Sequence, residues 1–188
     1  SFAVPASWQP QRGLWDRQND AFRQLDMGDA GTLALRAVGV STYTADLTVE
    51  ITGVLPLQTG EVTAERAIGV WFAARNGSAQ TDPSGYLCTL STDLGPGTGF
   101  VRASLYAHDQ GGDKQLASGM VLVGFAEGTL ARFRVVAIDG APHCQISVDS
   151  ATVDLPGDST AFSGGDLGMR TQNVSANLRA ATIYAKNP

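Results

Sequence analysis

The chain is short of lysine, glutamate and histidine, and each shortage excludes something. Of its 13 basic residues only Lys114 and Lys186 are lysines, no Lys/Arg cluster occurs, and the net charge is −5. A nucleic-acid footprint needs a basic patch, so that partner class is excluded. No apolar stretch approaches the length of a membrane-spanning helix. The first residues lack the charged start and apolar run of a signal peptide, and the chain begins at Ser1 without Met. It therefore reads as a processed mature form or an excised domain.

Cysteine is nearly absent too, since Cys88 and Cys144 are the only two. A disulfide-dense scaffold is excluded, and a chain of 188 residues buries enough surface to need no staple. The pair itself leaves two readings open, one disulfide in a secreted protein or two buried free thiols. On the second half of the chain Cys144, Ile146 and Val148 alternate on one face, and both Cys88 and Cys144 are expected to be buried on core faces.

What is present is glycine, 22 residues of it, with 8 prolines spread along the whole length. Between these turn residues runs a period-two alternation, the mark of half-buried strands. In 43–52, Tyr43, Ala45, Leu47, Val49 and Ile51 face one way and the polar residues the other. Further strands are predicted over 67–75, 85–91, 100–108, 131–139, 143–149, 166–172 and 177–185, with a turn at 139–142. Residues 17–26 have room for one or two helical turns, and no longer helix fits anywhere. Short strands with turns between them predict an all-β, two-sheet antiparallel sandwich. The whole of 1–188 is read as one domain, with 1–42 an N-terminal strand and loop segment and 43–185 the core of the sandwich.

The order of segments resembles the concanavalin A-like lectin and glucanase superfamily, which includes laminin-G-like domains and carbohydrate-binding modules. Ala67-Ile68-Gly69-Val70-Trp71-Phe72 is similar to its central strand, and Ser84-Gly85-Tyr86-Leu87-Cys88 to the strand that follows. Phe133 to Gly140 and Cys144 to Asp149 are similar to its hairpin, and Asp166 to Arg170 and Ala181 to Tyr184 to its closing strands. The resemblance implies a jelly roll, and it is poorly specific for function.

Strand phase marks a candidate site. In 67–75 the apolar set is Ile68, Val70, Phe72 and Ala74, which leaves Trp71 and Arg75 on the opposite face. In 100–108 Val101, Ala103, Leu105 and Ala107 point inward, which leaves Arg102, Ser104, Tyr106 and His108 outward. If the two strands are neighbours, one sheet face gathers Trp71, Arg75, Arg102, Tyr106 and His108. Flat rings cover the C–H faces of a sugar, and arginine, histidine and serine bond its hydroxyls. The alternative is that a loop covers Trp71 and Tyr106 while Arg75 and Arg102 are solvated.

Other chemistry is weaker. Asp16, Asp20, Asp26 and Asp29 lie near the N-terminus, and the resemblance leaves a structural calcium as the one cofactor to consider. Calcium takes six to eight oxygens at one point, and no Asp-x-Asp-x-Asp loop is present, so these carboxylates read as solvated. A glycosidase needs two placed carboxylates, but none of Glu50, Glu61, Glu65 and Glu127 opens a Glu-x-Asp-x-Glu-type strand. Arg102, Tyr106 and His108 echo the residue types of alginate-lyase-like sandwiches without their flanking motifs. No Gly-x-Ser-x-Gly elbow accompanies His108 or His143. Three readings follow. The first is a non-catalytic carbohydrate-binding module, extracellular or on a cell or virion surface, with a polysaccharide or glycan as partner. The second is a structural or adhesion subunit that forms homo-oligomers or a larger assembly. The third is a divergent polysaccharide lyase or hydrolase.

Overall fold

The computed structural model describes residues 8–18, 21–27, 32–39, 42–56, 65–92, 100–137, 141–158 and 161–185. Among these residues there is no helix, and fourteen strands, numbered here in chain order, form two seven-stranded antiparallel sheets. The first sheet runs β1 (Trp8–Arg12), β4 (Thr32–Arg36), β13 (Asp166–Gln172), β6 (Arg66–Arg75), β7 (Ser84–Thr92), β8 (Val101–Asp109), β9 (Gly112–Val121). The second runs β12 (Ala151–Pro156), β11 (His143–Val148), β10 (Leu130–Ala137), β5 (Tyr43–Val54), β14 (Val174–Ala185), β3 (Ala21–Gln24), β2 (Trp15–Gln18).

The inward faces of the two sheets make the core. In β5, Tyr43, Ala45, Leu47, Val49 and Ile51 are buried and the residues between them are half exposed, as the alternation predicts. They meet Phe133 and Val135 of β10 and, from the first sheet, Ile68, Val70, Phe72, Leu90 and Leu105. Cys88 on β7 and Cys144 on β11 form a disulfide across this core, joining the two sheets, and both are fully buried. Of the two readings left open, the bonded pair is the one found. Tyr43 ties the sheets together as well: its hydroxyl accepts from the Ala73 amide at 2.9 Å and donates to the Asp166 carbonyl at 3.2 Å.

Six strands were not expected. Among the described residues of 17–26 there is no helical turn: β2 and β3 pair there, Arg17 opposite Phe22. The N-terminal segment supplies β1 and β4 to the first sheet and β2 and β3 to the second. The remaining two, β9 and β12, are edge strands. In β9 much of Gly112–Val121 is exposed along both faces, so no alternation shows, whereas β12 alternates in burial. The turn expected at 139–142 lies partly outside the described residues.

Strand β6 contains an irregularity that matters for the site. Phe72 pairs with Tyr86, but Arg75 pairs with Ser84, so β6 spends one residue more than β7 over this stretch. The extra residue is Ala73, at φ +49°, inside a β-bulge. Gly165, at φ +122°, lies against it: a Cβ there would stand 2.5 Å from the Ala74 carbonyl oxygen.

Candidate functional site

Because β6, β7 and β8 are neighbours, the outward residues of the first sheet form rows across its outer face. One row runs Leu35, Gly168, Trp71, Leu87, Tyr106, Gln115 through the strand pairings. Trp71 therefore points away from the sandwich core, as its phase predicts. It is not open: its exposure is 0%. Leu33, Leu35, Ala74 and Leu87 surround it in a second small apolar cluster, with Tyr106 packed alongside. Gly168 makes the room, since a Cβ there would lie 2.9 Å from the Trp71 Cβ. The loop between β6 and β7 lies over the leucines, because a Cβ on Gly77 would meet Leu35 at 2.9 Å and Pro83 at 3.0 Å. Asp82 of that loop is held by Arg12 of β1 at 2.5 Å.

The expected site is corrected in two places. Trp71 is fully buried among leucines and so is not an open stacking platform, whereas Tyr106 stays half-buried. Arg75 does not share its face. The bulge at Ala73 reverses the phase, so Ala74 joins the Trp71 cluster while Arg75 pairs with Ser84 and donates to the Ser163 carbonyl. Tyr106, His108 and Arg102 are brought together on the outer face of β8, half-buried, half-buried and exposed in turn.

Beside the Trp71 row runs a polar one: Arg170, Gly69, Thr89, Ser104. Gly69 has no side chain, and the gap becomes a cavity of about 140 Å³ lined by Glu65, Thr89, Tyr106, Asp113, Arg170 and Gln172, among others. Tyr106 also walls a cavity of about 310 Å³ with Glu65, Ser91, Phe100, Arg102 and Met120. At the loop end a cleft of about 520 Å³ is lined by Asn76, Gln80, Asp82, Ser84, His108 and Asp109, among others.

On this face His108 and Arg170 each have an acidic neighbour. His108 Nδ1 lies 2.5 Å from Asp113 and its ring meets Trp71 nearly at right angles, 74°, with centroids 5.5 Å apart. Arg170 stands 3.9 Å from Asp82 and donates to Gln172 Oε1 at 3.3 Å. Three buried polar atoms here lack a protein partner: Trp71 Nε1, Ser104 Oγ and Arg170 Nε. Each such group costs roughly 1–3 kcal/mol unless something satisfies it, and unsatisfied groups on one face mark it for scrutiny.

Of the acidic N-terminal set, Asp16 and Asp26 lie among the described residues. Asp16 is held by a two-pronged pair with Arg23, at 2.6 Å to Nε, and that bond holds its carboxyl below the ordinary range. Asp20 and Asp29 lie outside the described residues. Among the described residues no three metal-ligating side chains converge. His143 pairs with Asp154 at 2.7 Å on the other sheet, away from this face.

Sequence reasoning missed Arg170, Gln172, Asp113, Glu65 and Phe100. Alternation in 166–172 does set Gly168, Arg170 and Gln172 opposite Leu167, Met169 and Thr171. Only the pairing of β13 with β6 turns that phase into membership of the site.

No protein-family model matches the sequence, and no curated protein does. Solved structures do match the fold. The carbohydrate-binding module CBM66 from Bacillus subtilis superposes with a TM-score of 0.68 at 14% identity, covering 95% of this chain and 96% of its own. The exoplasmic/lumenal domain of VIP36, bound to Ca²⁺ and Man3GlcNAc, gives 0.65 at 12% identity over 97% and 84%. A legume lectin-like domain from Entamoeba histolytica gives 0.61 at 12% over 96% and 91%. Two seven-stranded antiparallel sheets stacked in this order, together with these superpositions, make the chain a concanavalin A-like jelly roll.

Proposed function

We propose that the protein is a non-catalytic carbohydrate-binding module whose ligand lies on the outer face of the first sheet. One observation carries this: Tyr106 stands half-buried between two adjoining grooves, with Arg102 on one side and the His108–Asp113 pair on the other. A ring flanked by donors and acceptors of both signs suits a molecule that shows apolar C–H faces and hydroxyls. That two of the superposed structures carry carbohydrate-binding and sugar-bound names supports the same reading. The buried disulfide supports a secreted or surface setting, where such bonds persist.

A second reading has its own observation. Phe100, Met120 and Leu122 are 54%, 59% and 70% exposed near one end of this face, as a protein contact would need. A glycan array combined with gel filtration separates the two. Binding of defined saccharides, lost in Tyr106→Ala, supports the module. An empty array with oligomers in solution refutes it and favours the assembly subunit.

A further inference from the structure

Strand β8 carries the grooves of the outer face in series. Its outward residues run His108, Tyr106, Ser104 and Arg102, with Phe100 one residue before its start. His108 lines the loop cleft of about 520 Å³, and its partner Asp113 lines the groove of about 140 Å³. Tyr106 lines that groove and also the next, of about 310 Å³, where Arg102 and Phe100 stand. At the rise of a strand, His108 to Phe100 covers about 26 Å and Tyr106 to Phe100 about 20 Å. One sugar cannot touch both rings.

We propose that the ligand is an internal stretch of an uncharged, extended polysaccharide laid along β8, with Tyr106 and Phe100 as two separate platforms. This rests on the carbohydrate reading above. Two features argue for a chain over a single terminal sugar. The polar groups are strung along the strand and do not converge in one pocket. The far end is apolar and open, with Phe100 54% and Met120 59% exposed beside Arg102. The charge pattern argues for a neutral chain: the acids Asp82, Asp109, Asp113 and Glu65 share the track with Arg12, Arg170 and Arg102. Neither sign accumulates, so a polyanion gains nothing from the field.

The test is calorimetric titration of the whole chain with gluco-, manno- and xylo-oligosaccharides from one to six units and with a polyuronate. Affinity should rise by about tenfold or more from the disaccharide to the hexasaccharide of the series that binds. Phe100→Ala should remove that gain while the thermal midpoint stays unchanged, and Phe100→Trp should restore it. Equal affinity at every length, an equal loss in Phe100→Ala at every length, or preference for the polyuronate overturns the inference and leaves the carbohydrate reading standing. If no saccharide in these series or on the array binds, both fall.

Discussion

The rings of Trp71 and His108 meet nearly at right angles with centroids 5.5 Å apart, and His108 is held in that place by Asp113. The pair marks the boundary between what is packed and what is open on the outer face. Trp71 belongs to a small apolar cluster with Leu33, Leu35 and Leu87, while His108 borders the loop cleft.

Trp71→Ala should therefore act on stability first. Emptying a fully buried indole site costs about 3–5 kcal/mol. Urea unfolding followed by circular dichroism should show a loss of that size. A midpoint within experimental error of the parent would mean that Trp71 is not packed in this cluster.

Arg102→Ala should do the reverse. Arg102 is exposed at the edge of a groove, so its removal should change stability by no more than about 0.5 kcal/mol. Saccharide binding measured on the same preparation should weaken. Unchanged binding would remove Arg102 from the site.

The Cys88–Cys144 bond closes a loop of 56 residues. By the chain-entropy account such a loop contributes about 4 kcal/mol through the unfolded state. Chemical unfolding with and without reductant, or of the double Cys→Ala variant, should differ by about 2–4 kcal/mol. Thiol reagents should label nothing in the native protein, and rapid labelling of either cysteine would contradict the bond.

Tyr43 should make stability depend on alkaline pH. Burial pushes its phenol well above the ordinary value, whereas in the unfolded chain it ionises near about pH 10. The folded state keeps a proton that the unfolded state releases, so this contribution is complete below about pH 10 and is lost as pH rises beyond it. Tyr43→Phe should flatten that part of the pH profile. It should also cost about 1–3 kcal/mol at neutral pH, because the Ala73 amide loses its acceptor. Parallel alkaline slopes for the parent and Tyr43→Phe would rule the mechanism out.

Much of the sandwich was legible from residues alone. The alternation in 43–52 matches the burial of β5 position by position, because each residue of that central strand has a fixed side of the sheet. The edge strand β9 was not legible, since much of it is exposed along both faces, and β12 alternates over Ala151, Val153 and Leu155 but offers only three such positions. Nor was the β2–β3 hairpin, whose strands are four residues each and too short to show a period.

The phase of a strand is a local property, and the sequence alone determined that Trp71, Arg102, Tyr106 and His108 point away from the core. Tertiary structure decided what happens to them next. Trp71 is buried against leucines from β4, a segment distant in sequence that no periodicity links to it, and the loop at Gly77 lies over those leucines. Arg75 left the face because one bulged residue at Ala73, opposite Gly165, turned the strand over. Arg170 joined it because β13 lies beside β6. Alternation assigns a side chain to a face, but neighbouring strands and covering loops determine whether that face is open, and both are set by contacts between residues far apart in the chain.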